Sequence, residues 1–184
     1  MERERIRERE PVQLEEGAHY AETLRQYSTA REHAKNGKIV IRAKDLPWRQ
    51  GRQGYSKRFL NWHKVADGAV LEAAAQGWTC FIQHVKTNSG KHRHQGGIQL
   101  FVLEGEGYTT VNGKKVDWEK WDLIILPVQP NGCEHQHFNK FPGTPAKWMA
   151  FRYHPFSEVL GNMFEHVEDS PDWIAKQKAA STQR

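Results

Sequence analysis

The side chains best suited to chemistry are the histidines of Lys91-His92-Arg93-His94 and of His135-Gln136-His137-Phe138-Asn139. On an extended strand residues i and i+2 project from one face, so His92 and His94 can converge on a single ion. A third imidazole from another strand, drawn from the His135-Gln136-His137 run, would complete a facial set of neutral nitrogen donors suited to a divalent metal. His137 lies two residues beyond His135 and shares its face, where it serves as a hydrogen-bonding neighbour, a proton relay, a replacement ligand or plain cavity lining.

Such a set needs strands to hold it, and the pattern around it is β. Phe59 to Val65, Trp78 to Val85, Ile98 to Leu103, Gly107 to Val111, Lys114 to Trp118, Leu123 to Val128, His135 to Phe138 and Lys147 to Tyr153 are short runs rich in aromatic and branched residues. Asn112-Gly113, between two such runs, predicts a type I′ hairpin. Short strands at this spacing with no long helix among them predict an antiparallel β-barrel or jelly roll.

Helices are expected only at the ends. Tyr20, Leu24 and Tyr27 recur at helical spacing before Asn36-Gly37, predicting a helix over 17–35 that covers a sheet or a partner subunit. Lys38 to Ala43 reads as a short strand and Leu46 to Gly54 as a loop. Phe156 to Val167 has helical spacing, and Ser170-Pro171-Asp172 sets a cap before a helix-starting proline, so two C-terminal helices are expected outside the barrel. The resulting division is a charged arm at 1–16, a helix and loop at 17–55, the β-barrel at 56–155 and C-terminal helices at 156–184.

Composition narrows the function classes. The net charge is +5, but 27 basic residues face 22 acidic ones and are scattered along the chain, which argues against a nucleic-acid partner. No apolar run is long enough to span a bilayer, and two cysteines, Cys80 and Cys133, are too few for a disulfide framework. A cytoplasmic enzyme with reduced thiols is the expectation. Ten histidines and seven tryptophans suit a site in an aromatic-walled cavity.

These residues resemble the two motifs of the cupin superfamily. His92-Arg93-His94 and Phe101-Val102-Leu103-Glu104-Gly105-Glu106-Gly107 look like the first; Asp122, Pro127, Gly132, His135 and Asn139 look like the second. The resemblance spans about residues 78–153. The position of the usual ligand glutamate is held by Ile98, with Gln99 adjacent, and neither is a good metal ligand. Trp121 stands where a turn glycine is usual. A cupin with three histidines and no carboxylate is similar to the branch that includes gentisate dioxygenases and related salicylate, hydroxynaphthoate and β-diketone cleaving enzymes.

That resemblance implies His92, His94 and His135 as ligands of Fe(II), with Zn(II), Mn(II) or Ni(II) as alternatives. It implies dioxygenase chemistry with O2 on a small molecule, an anionic aromatic acid or an enolisable relative, as in aromatic compound catabolism. Arg152 alternates with Trp148 and Ala150 and is a candidate for the substrate carboxylate; a surface salt bridge is its alternative fate. Gln99 joins the catalytic candidates only if a bulge at Gly96-Gly97 turns it inward. A redox-neutral isomerase, lyase or hydrolase at the same histidines, and a non-catalytic small-molecule-binding cupin, remain open. A homodimer with the N-terminal helix across the interface is also expected.

Overall fold

In the computed structural model, residues 17–61, 73–161 and 163–182 are described. The charged arm at 1–16 and the end of the expected Phe59–Val65 strand lie outside them. Helix α1 spans Ala18–Asn36. A single 3-10 turn at Ala43–Asp45 then leads into strands β1 Arg49–Gly51 and β2 Gly54–Leu60. Next come β3 Trp78–His84, β4 Lys91–His94, β5 Ile98–Glu104, β6 Gly107–Val111 and β7 Lys114–Trp118. The chain continues through β8 Leu123–Leu126, β9 Cys133–Asn139, β10 Lys147–Tyr153, α2 His154–Val159, β11 Phe164–Glu168 and α3 Pro171–Thr182.

The strands form two antiparallel sheets. One has the order β1-β2-β3-β10-β5-β8 and the other β11-β4-β9-β6-β7. This is the expected mainly β jelly roll, built from two sheets rather than a closed barrel. The period-two alternation shows why these segments are strands: Ile98, Leu100 and Val102 of β5 and Trp148 and Ala150 of β10 are buried, and they meet Val85, Trp118, Ile124, Leu126 and Cys133 in one apolar core. Asn112 and Gly113 have φ of 48° and 82°, the two positive values a type I′ turn requires, and they set the β6–β7 register. Trp121, in place of a turn glycine, keeps a left-handed φ of 79°.

Several expectations are corrected. Lys38 to Ala43 is not a strand: only Lys38 pairs, with Ala73 in an isolated bridge. The loop at 46–54 contains β1, which folds back on β2. The helix over Phe156–Val167 stops at Val159, and Phe164–Glu168 is a strand instead. Gly161, at φ 76°, reverses the chain, and Gln95 holds the turn through the Gly161 carbonyl and the Met163 N–H. This lets β11 satisfy the open edge of β4, an edge the sequence periodicity does not register. Among the described residues helix α1 covers no sheet; none of its residues is buried, and Tyr20, Leu24 and Tyr27 are exposed. Helix α3 starts at Pro171 and lies against β1 and β2, with the Trp173 N–H donated to Ser170.

Candidate metal centre

Strands β4 and β9 are neighbours, and their register sets His92 directly opposite His135 and His94 opposite Cys133. Because His92 and His94 share a face with His135, the three imidazoles come together, with one donor atom of each within 4.8 Å of the others. Their ring centroids lie 4.2, 4.8 and 5.5 Å apart. Among the described residues no Cys, Asp or Glu joins the group. Phe164 of β11 stacks on His92 at 5.2 Å and closes the group from the side of the sheet edge.

The three imidazoles are suited to receive an ion. Burial, reinforced by neighbouring His135 and Arg152, pushes His94 down to about 3. Burial likewise pushes His135 down to about 4, against the opposing pull of the Cys133 carbonyl. His92 is held well below its usual range by burial and by the adjacent imidazoles. All three are therefore neutral at neutral pH with one lone pair each, and in His94 the Nδ1 accepts the Gly96 N–H at 2.9 Å. His135 Nδ1 lies 2.9 Å from the Cys133 carbonyl, to which it donates, so its Nε2 lone pair is available. Three neutral nitrogen donors brought together in this way fit a divalent transition metal.

The triad opens into a cavity of about 320 Å3 between the two sheets. Its wall includes His137, Arg152, Trp148, Phe81, Leu100 and Phe164, and among the described residues no Asp or Glu lines it. His137 is 1% exposed and its ring lies 4.7 Å from Trp148. Its Nδ1 is 2.8 Å from Thr109 Oγ1, which also accepts the Trp118 indole N–H at 3.0 Å. Arg152 is buried and not at the surface: Trp148, Ala150 and Arg152 take the inner face of β10, and Arg152 Nε donates to Ser157 Oγ. Its guanidinium pKa is lowered by burial.

Gln99 is not brought to the site. Gly96 and Gly97 both have positive φ, and a Cβ at Gly96 would collide with the Pro127 carbonyl, so the pair serves a close backbone crossing. It does not turn Gln99 inward: β5 presents Ile98 and Leu100 to the cavity and leaves Gln99 exposed. Of Gln83 and His84, which face opposite ways, Gln83 is the one that lines the cavity. Sequence reasoning missed Phe164, because β11 read as helix. It also missed His154, which lines the cavity with its Nε2 2.7 Å from Thr79 Oγ1. The i+2 spacing from Arg152 was its available signal.

Residues 81–152 match the family model of the cupin domain. Over this stretch the two-sheet jelly roll fits the cupin fold. Asn139 ties two connections together: its amide donates to the carbonyls of Val85 and Lys86, after β3, and of Thr144, before β10. Among solved structures, a variant of salicylate 1,2-dioxygenase from Pseudoaminobacter salicylatoxidans in complex with gentisate is 25% identical, with a TM-score of 0.49; the match covers 82% of this chain and 37% of that one. The polyketide cyclase RemF from Streptomyces resistomycificus is 15% identical, with a TM-score of 0.49, 73% of this chain and 89% of that one being covered. The chain thus spans little more than a third of the dioxygenase's length. No curated protein matches the sequence. Among the described residues, no helix is long and apolar enough to cross a membrane.

Proposed function

We propose that this cupin is a mononuclear Fe(II) dioxygenase that cleaves a C–C bond in a small hydroxylated aromatic acid or a related enolisable molecule. The observation that carries this reading is the charge of the cavity. Three neutral imidazoles face a space that holds a buried arginine and, among the described residues, no carboxylate. A divalent ion held there keeps its full positive charge, so the complementary ligand is an anion.

In this reading His92, His94 and His135 hold the ion. Iron supplies Lewis-acid polarisation of a chelating substrate and a route for electrons from an electron-rich ring to O2. The protein's part is binding, orientation and exclusion of water. Arg152, already fixed by Ser157, balances the substrate carboxylate; Phe81, Leu100 and Trp148 offer apolar surface to a planar ring. His137, rigidly seated against Thr109, places a polar ring nitrogen beside the triad. A volume of about 320 Å3 suits a one-ring acid and is at the small end of ligand cavities.

Screening the Fe(II)-loaded protein for O2 uptake against hydroxybenzoates and β-diketones tests this. The expected result is substrate-dependent O2 consumption with both oxygen atoms in a ring-opened or cleaved product. Turnover that continues unchanged without O2 would replace the reading with redox-neutral chemistry at the same histidines.

A further inference from the structure

The outer face of the six-stranded sheet is apolar where a solvated antiparallel sheet is polar. Two rows of side chains cross it. Ile82, Met149, Phe101 and Leu123 sit side by side on β3, β10, β5 and β8. In the next row Phe151, Gln99 and Ile125 pair across β10, β5 and β8, and beyond it Tyr153 lies against Trp78. Trp121, just before β8, extends the face with its ring 5.9 Å from Phe101. The alternate residues of these strands form the core and the cavity wall, so the strands are apolar on both faces, the pattern of a sheet covered on both sides. Yet Trp121 and Ile125 are each 63% exposed.

Helix α1 is a second uncovered element. Tyr20, Leu24 and Tyr27 make one apolar stripe at helical spacing, all three are exposed, and no residue of the helix is buried. Packing of such a stripe is what ordinarily stabilises a helix in a protein. The chain that leaves α1 comes down on the outer side of the same sheet. Ser56 and Arg58 line the cavity, so Tyr55 and Lys57 point outward; Lys57 Nζ donates to the Ala43 carbonyl at 2.7 Å, and Trp48 stacks on Tyr55 at 5.0 Å. Although it springs from that side, α1 leaves the face of its own chain open.

We propose that a second copy of this chain covers the face: in a two-fold dimer the Tyr20, Leu24 and Tyr27 stripe of each α1 lies on the outer sheet face of its partner. One reciprocal contact then buries both open surfaces of each chain and closes the assembly at two copies. The area is sufficient. At about 200 Å2 for a large side chain, the exposed fractions of Trp78, Trp121, Leu123, Ile125, Phe151 and Tyr153 come to roughly 600 Å2, at the top of what a monomer leaves open as one patch. With the α1 stripe the total is roughly 1,000 Å2 per chain, above the ~800 Å2 per partner of a stable interface.

The test uses the full chain, with mass measured by light scattering at micromolar concentration and backbone amide exchange followed by mass spectrometry. Two variants are compared with wild type: Ile125→Glu on β8 and Leu24→Glu on α1. Both positions face solvent within one chain, and near-ultraviolet circular dichroism checks that each variant is folded. The expected wild-type mass is two chains, and each variant weakens association about thirtyfold or more. The amides of α1 exchange slowly in wild type and fast in Ile125→Glu, even though that substitution is on the sheet and not on the helix. A wild type with the mass of one chain, or a dimer that withstands either substitution, overturns the proposal. So does a dimer whose α1 amides exchange as fast as those of Ile125→Glu, since the sheets then pair without the helix. Leu24→Glu, in a helix with no buried residue, decides the matter even if Ile125→Glu fails to fold.

Discussion

Acidification of the metal-free protein should destabilise it in a window set by the triad. His94 and His135 are pushed down to about 3 and about 4 by burial, against an ordinary value of 6.5. The unfolded chain therefore takes up protons as pH falls through 6.5, whereas the folded chain does not until it reaches 3–4. Stability from these groups is complete above pH 6.5 and is lost progressively below it. At pH 5 each histidine lies about one and a half units below its unfolded value, and each unit is worth about 1.4 kcal/mol, so the two together cost about 4 kcal/mol. For a domain of this size that lowers the melting temperature by roughly 8–16 °C between pH 7.5 and 5. Carboxylates titrate mostly below this window, which isolates the imidazoles. Circular dichroism melts of EDTA-treated protein check it, with the His94→Gln/His135→Gln double variant as the control whose profile should be flatter by the share of those two groups, the depressed His92 and His137 remaining. A melting temperature that is level from pH 7.5 to 5, or a variant that falls as steeply as wild type, refutes the reasoning.

Other outcomes follow from the same geometry. Arg152→Met should weaken binding of an anionic ligand about tenfold or more while leaving metal content at its wild-type level, since it removes one charge-assisted partner and no ligand atom; calorimetry with the loaded protein measures both. Gly96→Ala should destabilise the fold by at least about 2 kcal/mol in urea titrations, because φ is +86° and the new methyl meets the Pro127 carbonyl. Gln99→Ala should change neither metal content nor ligand affinity, its side chain being on the outer face; a clear loss of either would restore it to the site.

What the sequence made legible was whatever rests on short-range rules. The β6–β7 hairpin follows from the positive φ that Asn112-Gly113 tolerates, the start of α3 from Ser170-Pro171, and the shared face of His92 and His94 from the strand period of two. The meeting of His135 with that pair was inferred from two motifs, and the β4–β9 register supplies it. Non-local pairing was hidden. Nothing local in Phe164-Glu165-His166-Val167-Glu168 distinguishes a helix turn from an edge strand; its state is decided by the open edge of β4, far away in the chain. The far wall of the cavity was hidden for the same reason. Gln53 and Asn61 flank β2, and their part in the cavity depends on β2 pairing with β3, which pairs with β10.

The most direct test of the three-histidine centre is elemental mass spectrometry on protein purified anaerobically, for wild type and for a folded His92→Ala/His135→Ala variant. About one iron per chain in the wild type and none in the variant is the predicted result. Wild type that takes up no metal even after reconstitution, or a variant that keeps it in full, contradicts the assignment of His92, His94 and His135 as a metal centre.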